Sequence, residues 1–152
     1  MTKEFKDMKG VIAIATTPFN NENLIDFESV DRLSNYYIES KVSGVTILGV
    51  MGEAHKLNIE EQKTLIKRYV NNLINSVPVI VGVSNAGLDN LELLSKFSMD
   101  SGASGVMISG NNGLKNDDQI KSYFNQVVDR TKDIPICLQD YPPTTNVYFS
   151  ES

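Results

Sequence analysis

Ser43-Gly44-Val45-Thr46-Ile47-Leu48-Gly49-Val50-Met51-Gly52 returns 61 residues later as Ser104-Gly105-Val106-Met107-Ile108-Ser109-Gly110-Asn111-Asn112-Gly113, in the shared pattern S-G-V-x-I-x-G-x-x-G. In each copy a short β-branched run leads into a glycine-flanked turn, which is how a buried strand enters the loop before a helix. The offset equals two βα units of about 30 residues each. Similar runs at residues 11–16, 77–84 and 134–141 join 44–49 and 105–109 to make five predicted strands. Their mostly apolar character suits strands covered on both faces.

Helical patterns fill the gaps. After Asp26, the residues Phe27, Val30, Leu33, Tyr37 and Ile38 share one stripe. Asn58 with Glu61 has capping-box spacing, and Asp89 with Glu92 and Asn116 with Gln119 repeat it. Near-equal tandem units without a topological break favour an α/β fold of the (β/α)8 TIM-barrel type over an open doubly wound sheet. A complete barrel needs roughly 250 residues, and the chain has 152, enough for four βα units plus the fifth strand. No linker or composition shift divides it, so residues 1–152 are expected to form a single partial barrel domain. The alternative is a self-contained small α/β domain.

Composition narrows the function. Fourteen basic against nineteen acidic residues give a net charge of −5, with 41% hydrophobic residues. An acidic surface without a basic run argues against nucleic acid, and no apolar stretch marks a signal peptide or membrane span. The single cysteine, Cys137, forms no intrachain disulfide and suits the cytoplasm. One histidine, His55, and no cysteine cluster leave a zinc site without ligands. Chemistry in parallel barrels gathers in the loops after the strands. Among them Gly49-Val50-Met51-Gly52-Glu53 stands out, because its flanking glycines permit a sharp bend that presents consecutive amides to a carboxylate or phosphate. A tight turn that binds nothing fits the same spacing.

Landmarks along residues 9–146 occur in an order that resembles the N-terminal half of the dihydrodipicolinate synthase and N-acetylneuraminate lyase family. They are Thr17-Pro18-Phe19, Gly44 to Gly49 leading into Gly52-Glu53 and Leu57, Pro78-Val79-Ile80-Val81-Gly82, Ser101-Gly102-Ala103, and Pro135-Ile136 leading to Pro142 and Thr145. The resemblance implies a class I aldolase-like enzyme that forms a Schiff base with pyruvate or another 2-oxo acid and needs no cofactor. It implies that Gly49, Val50, Met51, Gly52 and Glu53 hold the substrate carboxylate, with Thr17 and Gln139 in the same pocket. Val50 and Met51 stand where the family has two threonines, and Asn111 and Asn112 where it has a tyrosine, so the hydroxyl relay is missing. The family's Tyr-Asn-x-Pro reads Gln139-Asp140-Tyr141-Pro142 here, which puts Gln139 in the tyrosine's place. Strand alternation would set Tyr141 on the face of Gln139, about 6.8 Å away, where it would either transfer protons or plug the barrel end and line the pocket. The Schiff-base lysine belongs to a sixth strand, and none of the lysines here falls in a predicted strand. Two expectations follow: part of a 2-oxo-acid lyase, or a non-catalytic half-barrel that binds a carboxylate or self-associates as a homo-oligomer because its outer strands are unpaired.

Overall fold

The computed structural model describes residues 8–150; the charged stretch through Asp7 and the final Glu151 and Ser152 lie outside the described residues. Strand and helix alternate as β1 (Ile12–Ile14), α1 (Phe27–Glu39), β2 (Gly44–Ile47), α2 (Ile59–Leu73), β3 (Val79–Gly82), α3 (Leu88–Asp100), β4 (Gly105–Ser109), α4 (Asp117–Thr131), β5 (Ile136–Gln139) and a short α5 (Pro142–Thr145). The strands pair in sequence order, β1-β2-β3-β4-β5, and every pairing is parallel.

Side-chain parity decides between barrel and open sheet. Ala13 and Ala15, Val45 and Ile47, Val79 and Val81, Val106 and Ile108, and Ile136 all join the core built with the helices. They alternate with Ile12, Ile14, Thr46, Ile80, Met107 and Cys137, which lie on the other face. Helices therefore cover one face only, whereas a doubly wound sheet carries them on both. The sheet is a half-barrel, with an outer face packed on helices and an inner face lining what would be the barrel interior.

The expectation of strands buried on both faces holds for β2 and β3 and fails at the two ends. Ile12 and Ile14 of β1 and Leu138 of β5 are exposed, as is Val11 at 68%. These strands have one sheet neighbour each, so only half of their surroundings is protein.

Three of the four helix starts follow the reading from sequence. Asp26 accepts from the Ser29 amide at 3.0 Å, and Asn58 and Glu61 form the reciprocal box at 2.9 and 2.8 Å. Asn116 accepts from the Gln119 backbone amide at 3.0 Å, while the Gln119 side-chain Oε1 accepts from the Lys115 amide instead of the cap's own. Asp89 departs from expectation. The Asn85 side chain accepts from the Gly87 amide, turning the chain earlier, and α3 starts at Leu88 with Gly87 as its cap. Asp89 and Glu92 instead pair with Arg130 of α4 at 2.5 and 3.2 Å. The fifth strand is also shorter than 134–141, because Pro142 opens α5.

One close approach links β3 to the loop after β2. A Cβ on Gly82 would fall 2.2 Å from the Leu48 carbonyl oxygen and 3.0 Å from the Gly49 nitrogen. Only a residue without a side chain lets this backbone crossing form. Gly82→Ala is expected to destabilise the chain by about 3 kcal/mol, the upper range for forced overpacking, measured as a lowered urea midpoint.

Candidate active site

The turn after β2 begins with Leu48 in the left-handed conformation (φ 54°), seated on Gly82. Gly49 is extended, Val50–Gly52 make a single 3-10 turn, and Glu53 returns to the left-handed region (φ 53°). The Gly52 amide donates to the Gly49 carbonyl at 3.0 Å and the Glu53 amide to that of Val50 at 3.1 Å. Among the described residues, the Val50 and Met51 amides have no acceptor. The first donors of any helical turn lack an internal partner, and here two adjacent ones are left for a ligand. The turn that could have bound nothing thus keeps the donors that carboxylate capture requires.

Thr17 supports the turn. Its hydroxyl is buried and donates to the Gly52 carbonyl at 2.6 Å. A Cβ on Gly52 would meet the Ala15 carbonyl at 3.3 Å, so the turn lies flat against the end of β1. Tyr69 of α2 holds the same strand end by donating to the Thr16 carbonyl at 3.2 Å, and burial pushes its phenol well above the usual range. The proton of Thr17 is therefore engaged in positioning the loop.

Glu53 pairs with Lys56, and that hydrogen bond and charge hold its carboxyl below the ordinary glutamate range. An ionised Glu53 accepts hydrogen bonds but cannot donate one to a carboxylate. His55 is exposed in the next turn and lines a cleft of about 440 Å³ with Asn58, Gln62, Asn85 and Asn90.

On β5, Gln139 stands in register with Ser109 of β4, and its side-chain amide has no hydrogen-bond partner among the described residues. Tyr141 does not follow the strand alternation expected of it. β5 stops at Gln139, and Tyr141 is the residue before α5, 47% exposed, with its carbonyl accepting from the Thr144 and Thr145 amides. Cys137 is half-buried on the inner face rather than in the helix-packed core, and burial raises its thiol above the ordinary value.

Two polar residues escaped the reading of the sequence. Ser84, just past β3, accepts from the Ser109 amide at 2.9 Å and from the Ser109 hydroxyl at 3.1 Å. Ser109 lies beside Gln139. The period-two pattern Met107, Ser109 was visible in the chain, whereas the Ser84 contact depends on strand register. Deeper on the inner face, Thr46 is 0% exposed and its hydroxyl has no partner among the described residues. Among those residues no strand carries a lysine, no group of three or more His, Cys, Asp or Glu gathers to hold a metal, and no helix is long and apolar enough to cross a membrane.

A profile of the Dihydrodipicolinate synthetase family matches residues 7–151. The chain belongs to that family. It is 30% identical to the 4-hydroxy-tetrahydrodipicolinate synthase of Methanococcus aeolicus, over 92% of this chain and 48% of that protein. The crystal structure of dihydrodipicolinate synthase from Rhodopseudomonas palustris superposes with a TM-score of 0.85 at 43% identity, over 89% of this chain and 45% of the other. YagE, a prophage protein of the family from E. coli K12 crystallised with pyruvate, superposes with a TM-score of 0.83 at 26% identity, over 90% of this chain and 46% of its own. The chain spans about half the length of these relatives, and it forms the N-terminal half of the family's barrel.

Because the Thr17 hydroxyl satisfies a buried carbonyl, Thr17→Val should cost about 1–3 kcal/mol. Denaturant unfolding checks the cost. Thr17→Ser, which keeps the donor, should recover most of it.

Proposed function

We propose that this chain supplies the carboxylate-binding half of a Schiff-base lyase or aldolase site for pyruvate or another 2-oxo acid. The observation that carries the reading is the pair of unpartnered amides at Val50 and Met51, on a turn held from below by Thr17 and Gly82, in a family whose member YagE was crystallised with pyruvate. Two adjacent N–H groups match the two oxygens of a carboxylate. They are independent of side-chain identity, so they survive the presence of Val50 and Met51 where the family has threonines.

In this reading Gly49 and Gly52 shape the turn and Glu53 closes it, while Gln139 borders the ligand from β5. The proton-transfer role expected of Tyr141 rested on its sharing a strand face with Gln139, and β5 ends before it, so no proton carrier is assigned within residues 8–150. In this reading the amine comes from a segment outside residues 1–152, since no strand among the described residues carries a lysine on the face lining the barrel interior. That amine attacks the keto carbon, water leaves, and the protonated imine draws electrons from the bond that forms or breaks. No metal, nucleotide or flavin enters this scheme.

Borohydride reduction in the presence of pyruvate tests it. A longer product of the gene should gain the mass of the reduced adduct on one lysine, and the 152-residue chain should gain nothing. Labelling of the 152-residue chain would falsify the division of labour between the two halves.

A second reading is favoured by the exposed apolar residues of the outer strands, Val11, Ile12, Ile14 and Leu138. Here the half-barrel is a non-catalytic carboxylate binder whose β1 and β5 edges pair with another copy. Size-exclusion chromatography with light scattering separates the two: a discrete dimer supports this second reading, and aggregated or unfolded material supports the first, since neither forms an imine within the 152 residues.

A further inference from the structure

The two outer strands of the sheet carry none of the devices that keep a free edge from pairing. β1 is Ile12-Ala13-Ile14 and β5 is Ile136-Cys137-Leu138-Gln139, with no charge or proline in either and an unbroken register to their neighbours. Edge strands are ordinarily blunted by charges, prolines or bulges, because their unpaired amides and carbonyls accept another extended chain.

The groups left open follow from those in use. The Val11 carbonyl and Ala15 amide bond to the β2 side, and the Pro135 carbonyl bonds to β4. Alternation therefore turns the amides and carbonyls of Ile12 and Ile14, and of Ile136 and Leu138, to the open edges. In a parallel pair, a residue whose two groups face its neighbour bonds to the residues flanking its opposite number. Ile12 and Ile14 bonded to Ile136 and Leu138 thus stand beside Cys137 and Gln139, which share their inner face. On the outer face the same pairing brings Val11, 68% exposed, to Leu138, 54% exposed. Joining β1 of one copy to β5 of another continues both faces of the sheet without a break.

Charge at the strand entrances selects the direction. Lys9 lies three residues before β1 and Asp133 three residues before β5. Neither joins a salt bridge among the described residues. Parallel pairing of β1 with β5 sets these opposite charges at one rim, whereas antiparallel pairing of β1 with a second β1 sends the two Lys9 side chains to opposite ends. A head-to-tail contact closes when its rotation returns on itself, and a sheet spanning about half of the family's barrel closes with two copies.

We infer that two copies of this chain close into one parallel ring of ten strands, five from each, with β1 of each copy paired to β5 of the other. The inference rests on the second reading above and names its seam. All ten strands point one way, so both turns bearing the Val50 and Met51 amides open at the same rim.

Cys137 reports the seam. Adjacent strands lie about 4.8 Å apart, within the Cα separation of about 4.4–6.8 Å that a disulfide spans. On mild oxidation of the 152-residue chain, Ile12→Cys or Ile14→Cys is expected to give a covalent dimer, and mass spectrometry of its digest a peptide pair joining β1 to β5 through Cys137. The same substitutions combined with Cys137→Ser should give no crosslink. A crosslink in that background means that β1 pairs with β1, and a Cys137-to-Cys137 link in the unsubstituted chain means that β5 pairs with β5. Either result, or a dimer without the β1-to-β5 link, overturns the ring while leaving self-association standing. Two measurements need no substitution and hold if the variants do not fold. Light scattering should give twice the monomer mass, and Cys137 should lose reactivity towards a thiol reagent as protein concentration rises. A dimer whose Cys137 reacts equally at all concentrations overturns the ring alone; a monomer or an aggregate overturns the ring and the second reading together.

Discussion

The contact on which the site depends is between backbones: the Leu48 carbonyl and Gly49 amide lie directly on Gly82 of the neighbouring strand. Parallel strands deliver their C-terminal ends to a common rim, but that alone does not aim a loop. Gly82 removes the side chain that would keep the β2 loop off β3, and the left-handed backbone of Leu48 turns the chain into the space this leaves. Gly52, flat against Ala15 and held by Thr17, fixes the other end of the same turn. A short segment pinned on two strands presents its free amides in a defined direction.

This construction does not depend on the side chains in which the chain departs from the family resemblance. Donors borne by the backbone persist when threonine becomes valine or methionine; hydroxyl protons do not. The departures at Val50, Met51, Asn111, Asn112 and Gln139 all affect side-chain chemistry, whereas the turn's own hydrogen bonds, from Gly52 to Gly49 and from Glu53 to Val50, join backbone groups alone. Polar groups on the rim lie instead on β4, on β5 and just past β3, as Ser109, Gln139 and Ser84. In the proposed reading, binding rests on backbone donors and proton transfer on particular side chains.

The elements that were legible in the sequence are those governed by local rules. The Asn58 and Glu61 box needs only four residues and forms as its spacing implies. Asp89 and Glu92 have the same spacing and fail, because the Asn85 to Gly87 turn just upstream starts the helix at Leu88 and a cation on α4 pairs with both carboxylates. Tyr141 was placed by extending strand alternation past Gln139, and Pro142 ends the regularity on which that step relied. Thr17 was expected from the sequence in the substrate pocket, while its place beneath the turn was not legible, since its acceptor is 35 residues away.

Strand order, helix positions and the location of the turn after β2 follow from periodicity, capping residues and paired glycines, all of which act within a few residues along the chain. The one-sided helix cover, the seat of Leu48 on Gly82, the Thr17 support and the meeting of Ser84, Ser109 and Gln139 arise only when separate strands adopt a common register. Hydrogen bonds and steric exclusion act over a few ångströms in space, and only the folded sheet brings residues from different βα units that close.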